Sequence, residues 1–105
     1  MIVVTTNEVC GRHTEEVLGM VRGNAVRARH IGKDIFAALR NVVGGEISEY
    51  AQLMSESREQ ATQRMISESQ LLGAIAIVAV RYQTATIAQG AAEILAYGTA
   101  IKLSE

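Results

Sequence analysis

Residues 47–72, ISEYAQLMSESREQATQRMISESQLL, decide the fold. Apolar side chains recur at Ile47, Tyr50, Met54, Ala61, Met65 and Leu72, with Leu53 and Ile66 on the flanks and Glu, Gln, Ser and Arg between. That spacing predicts one long amphipathic helix with a narrow apolar stripe and a solvated back. Gly73 follows as its C-terminal cap. A helix with one stripe needs one surface to lie on, and the flanking sequence supplies a sheet.

On the N-terminal side, Met1–Thr6 is short, β-branched and reads as a strand, and 7–13 reads as a turn. Glu16–Arg22 is apolar on both parities, which predicts a strand covered on both faces. Gly23-Asn24 is expected to kink it before it resumes through Ala25–His30. Ile31, Ile35, Leu39 and Val42 predict a short helix ended by Gly44-Gly45. On the C-terminal side, Ile75–Tyr82 reads as a central strand and Thr84–Ala92 as a loop. Glu93–Leu103 reads as a final strand, antiparallel to its predecessor. The resulting expectation is a single α+β domain over 1–105, an antiparallel sheet with the long and the short helix packed on one face.

Composition narrows the class. Of 105 residues, 49% are hydrophobic and the net charge is −1, which excludes a disordered chain. One Cys excludes a disulfide framework and a one-chain zinc finger. The start, MIVVTTNEV, lacks the basic and apolar regions of a signal peptide, and no apolar run approaches the roughly 18 residues of a membrane span. A soluble, cytoplasmic protein is expected. The apolar half holds 15 Ala but only one Phe and three Tyr. So little bulk, in strands apolar on both sides, implies a homo-oligomer whose core is completed by neighbours, with Val17 and Val21 at the interface.

Several segments carry a family resemblance. MIVVTT, GMVRGNAVRARHIGKDIFAALRNVVGGE, Tyr50 heading the long helix, LLGAIAIVAVRY and AYGTAIKL stand in order almost end to end. Together they resemble the YbjQ-like (UPF0145) family, most tellingly in Lys33-Asp34-Ile35-Phe36 running into Val43-Gly44-Gly45-Glu46 and in Gly98-Thr99-Ala100. The resemblance implies a dodecin-subunit-like βαββ fold, a homopentamer and a heavy-metal-binding label with no settled activity. Two positions depart from the family pattern: Ile75 stands where Asn or Asp is common, and Gln83 where an acid is common. A cation site built on those carboxylates would be lost here.

The candidate sites are modest. Cys10-x2-His13, beside Glu15 and Glu16, offers a thiolate, an imidazole and carboxylates to a divalent ion such as zinc or copper. One Cys and one nearby His cannot close a four-ligand site, so a ring would have to add ligands; the plainer reading is a polar turn. Arg27 and Arg29 share strand parity and are the candidate anion-binding pair, with pairing to a neighbour's Glu as the plainer alternative. Near-neutral charge and the lack of exposed aromatics among the basic residues speak against nucleic acid. No catalytic constellation is suggested by spacing, and a flavin, by fold analogy, is the weakest ligand.

Overall fold

The computed structural model describes residues 1–28, 48–88 and 91–104. They form β1 (Ile2–Val3), β2 (Thr14–Ala28), α1 (Ser48–Leu71), β3 (Ala76–Ala88) and β4 (Ala91–Leu103). The expected short helix, Gly44-Gly45, Arg29 and His30 lie outside the described residues.

The sheet order is β1-β3-β4-β2. Both long neighbours of β4 are antiparallel to it, as expected for β3, while β1 runs parallel to β3 through Ile2↔Ala76 and Val3↔Ile77. The sheet is therefore mixed rather than purely antiparallel. β2 and β3 run the same way with β4 inserted between them, and α1 carries the chain across.

The helix ends as its sequence indicates. Ala74 N–H donates to the Ser69 carbonyl at 3.1 Å and Gly73 N–H to that of Gln70 at 3.0 Å, with Gly73 at φ +78°. These two bonds are the Schellman pattern, which satisfies carbonyls the last turn leaves open. The buried stripe is Met54, Ser57, Ala61, Met65 and Ser69, Met54 being half-buried. Two serines thus occupy positions where the apolar pattern left gaps. Each returns its hydroxyl to its own helix, Ser57 to the Leu53 carbonyl at 2.8 Å and Ser69 to that of Ile66 at 2.7 Å. Burial then leaves no hydroxyl unsatisfied. Leu72 lies outside the stripe and is half-exposed.

Three expectations are corrected. β2 is not broken at Gly23-Asn24 but pairs with β4 straight through it, Gly23↔Ala96 and Asn24↔Leu95. Gly23 serves a different end: a Cβ there would overlap the Ala61 carbonyl and the Met65 amide of α1. The helix backbone rests directly on the strand. The loop expected at 84–92 is mostly strand, because Thr84 and Thr86 alternate with Ala85 and pair with Ile94, Ala92 and Glu93 of β4. Val21, expected at a subunit interface, is 0% exposed beneath α1, whereas Val17 is 65% exposed. The cause is a register shift between Val17 and Gly19, where Gly19 takes φ +120°. The bulge sets Val17 opposite Ile101 on one face and Val21 opposite Gly98 on the other.

The core lies between α1 and the sheet, where Val21, Ala25, Ala61, Met65, Ile77, Val80, Ile94, Ala96 and Ala100 meet. On the opposite face, Ala76, Val78, Ile101 and Leu103 are covered by Ile2, Val4 and Val9 of the N-terminal segment. β3 bulges between Val78 and Arg81, with Ala79 in the left-handed region at φ 54°. The segment pins this bulge, since the Ala79 and Val80 amides donate to the Thr6 and Val4 carbonyls at 2.8 and 3.0 Å. A left-handed Ala costs roughly 1–2 kcal/mol. Ala79→Gly removes that strain against a smaller unfolded-state entropy cost, for a net gain of about 0.5 kcal/mol. Thermal unfolding should move up by a few degrees, and a fall would refute the strain.

Candidate functional site

Cys10 sits in an exposed turn closed by the Arg12 amide donating to the Val9 carbonyl at 3.1 Å. His13 is exposed beside it, where its carbonyl accepts from the Ser104 amide at 2.9 Å, and the Arg12 Nε donates to the Ser104 carbonyl at 3.2 Å. These bonds tie the turn to the end of β4. They leave both side chains facing solvent. Among the described residues, no three His, Cys, Asp or Glu side chains gather as a metal would require. Ile75 and Gln83 are both exposed.

Arg27 is committed within its own chain. Its guanidinium donates to Glu56 and to Gln60 of α1, both at 3.3 Å. With the pair a third to a half exposed, the ion pair contributes less than about 1 kcal/mol. It nonetheless fixes the strand end against the helix. Arg27, Glu56, Arg58, Glu59, Thr62 and Tyr82 line an open groove of about 630 Å³. The Tyr82 hydroxyl meets the Thr62 hydroxyl there at 2.7 Å. Its two cations are matched by two carboxylates, so the groove favours no sign of ligand.

The other face of the sheet carries a row of side chains that spacing along the chain does not show. Cross-strand register aligns Arg22 of β2, Tyr97 of β4 and Arg81 of β3 in one row. The next row is Asn24, Leu95 and Gln83, and the next Val26, Glu93 and Ala85. Asn24 holds Glu93 at 3.2 Å. Arg22 and Arg81 are far apart in sequence, so only the strand order could have revealed the row. No helix of the described residues is long and apolar enough to cross a membrane.

Comparison with known proteins gives a consistent result. A family model described as "Putative heavy-metal-binding" (YbjQ_1) matches residues 1–104. A UPF0145 protein of Archaeoglobus fulgidus is 52% identical over 98% of this chain and 95% of its own. One from Methanosarcina acetivorans is 48% identical over 98% and 97%, and one from Thermotoga petrophila 50% over 100% and 99%. A crystal structure from Pediococcus pentosaceus, described as a DUF74-family protein with unknown function, matches the fold with TM-score 0.68. It is 17% identical, over 99% of this chain and 98% of that one. The chain belongs to the YbjQ-like (UPF0145) family.

Proposed function

We propose that the chain is the subunit of a closed cytoplasmic homo-oligomer, a pentamer as the family resemblance implies, with a structural or small-ligand-binding role. The observation that carries this reading is a pair of open edges on one sheet. The outer side of β2, and that of β3 from Arg81 to Ala88, have no strand partner among the described residues. Open edges template association. Two different edges on one subunit give a head-to-tail contact, which closes into a ring when the rotation allows. β2 and β3 run the same way, so a neighbour in the same orientation would meet β2 with its own β3 in parallel.

Shape and surface support the same reading. The described residues have a radius of gyration of 17.1 Å, above the roughly 13 Å of a compact domain of about 100 residues. Val17, Met20 and Val26 of β2 are each half or more exposed. Native mass spectrometry of protein purified without added ligand should give a mass five times that of the chain. A stable monomer at micromolar concentration would overturn the proposal.

The family description favours a second reading, a heavy-metal-binding protein using Cys10 and His13. Within one chain the ligand set is incomplete among the described residues, so the remaining ligands would come from neighbours. In zinc titrations of the assembled protein, Cys10→Ser and His13→Ala should each weaken binding by about tenfold or more. Affinity unchanged in both variants removes this reading.

A further inference from the structure

We propose that the face of the sheet opposite α1 binds a phosphorylated planar ring, of the nucleoside monophosphate class, across the row Arg22–Tyr97–Arg81. The inference deepens the small-ligand role above and rests on it, but it needs only one chain, so it stands or falls separately from the ring.

Neighbouring strands lie about 4.8 Å apart, so the two arginines stand about 10 Å apart at their backbones with the tyrosine between them. This places a partly exposed aromatic ring between two exposed guanidiniums, and stacking on an aromatic beside a cation is how planar anionic ligands are held. The two cations differ in commitment. Arg81 donates from Nη1 to the Thr5 carbonyl at 2.9 Å and to its own neighbour's, Val80, at 2.8 Å. It is a cationic wall fixed by the N-terminal segment. Arg22 forms no ion pair among the described residues, so none of their carboxylates holds its donor fork, whose geometry suits a phosphate.

The face is not flat at this point. The N-terminal segment covers Val78 and Ile101, and Val78 pairs with Thr99 in the row just before Tyr97. The row therefore lies at the foot of a step whose lip is Thr5. Beyond it, the amides of Asn24 and Gln83 offer donors and acceptors to the edges of a ring. In the described rows the nearest acid is Glu93, two rows away, and Asn24 already holds it. The row itself carries positive charge only.

The test is calorimetric titration with AMP, adenosine and inorganic phosphate, run on the wild type and on Arg22→Gln, Tyr97→Leu and Tyr97→Phe. Both Arg22 and Tyr97 stand on the surface of the sheet, and melting curves confirm that each variant is folded. AMP should bind at least about tenfold more tightly than adenosine or phosphate alone. Arg22→Gln and Tyr97→Leu should each weaken AMP by about tenfold or more, and Tyr97→Phe should retain it. The proposal is overturned if AMP fails to bind at millimolar concentration. It is equally overturned if phosphate binds as tightly as AMP, or if Arg22→Gln and Tyr97→Leu leave the affinity unchanged. Because subunit number is read independently by native mass spectrometry, a ring without AMP binding and a monomer with it are distinguishable.

Discussion

Gly23→Ala should unfold the protein or come close to it. The added methyl has no free volume, since it meets the Ala61 carbonyl and the Met65 amide, which are helix backbone rather than the end of a flexible side chain. Relief requires α1 to lift from β2, which opens the contacts of Val21, Ala25, Ala61 and Met65 together. Overpacking against movable side chains costs about 1–3 kcal/mol. Against backbone the cost should exceed about 3 kcal/mol, a large part of the roughly 5–15 kcal/mol that holds a small domain. Far-UV circular dichroism should show the melting midpoint lowered by at least about 12 °C. Gly11→Ala is the control: it carries the same substitution at φ +80° with nothing within 4 Å, so it should cost only about 1 kcal/mol. Equal losses at the two positions would mean that the helix does not rest on Gly23.

Val17→Asp and Val21→Asp should fail in different ways. The two residues are four apart on one strand and share parity, so a regular strand would treat them alike. Val21 is fully buried under α1, and a carboxylate there has no partner in its surroundings. Burying an unpaired charge costs several kcal/mol, so the chain should lose its cooperative unfolding transition. Val17, two-thirds exposed, tolerates the charge within one chain. Val17→Asp should keep wild-type circular dichroism while native mass spectrometry shows the ring dispersed. A folded Val21→Asp, or a ring unchanged by Val17→Asp, contradicts the respective assignment.

The parts of the fold that were legible in the sequence are those where one local signal suffices. The helix over 48–71 followed from its stripe and from Gly73, and β4 followed from its alternation. What was hidden lay in long-range geometry. A bulge at Gly19 exchanges the faces of Val17 and Val21 without changing their spacing in the sequence. Gly23 reads as a kink until the helix that crosses it is known. Thr84–Thr86 read as a loop because small polar residues become strand only with a partner, and Ile94 and Ala92 supply it.

The abundance of alanine also has a second explanation. Ala25, Ala61, Ala96 and Ala100 are at most 1% exposed between helix and sheet. Small residues there bring the backbones close, so lack of bulk is partly close approach and not solely a surface awaiting a neighbour. The candidate site was the least legible feature. Cys10 and His13 were visible as a spacing, but the Arg22–Tyr97–Arg81 row exists only once three strands are in register.

The position of β4 has a consequence in time. It follows β2, α1 and β3 in sequence yet lies between β2 and β3 in the sheet, so β2 and β3 each pair along their length with it and not with one another. While the chain emerges from the ribosome, β2 and α1 are made long before their common partner. The apolar residues of β2 wait, unpaired, for the thirteen residues of β4. Pairings as distant as Thr14 with Leu103 close slowly, whereas the β3–β4 hairpin closes fast. Folding should therefore begin at the hairpin and finish when β2 docks back onto it. A ribosome stalled before β4 would hold a segment with β2 and the far part of β3 unpaired, a substrate for chaperones rather than a partly folded subunit.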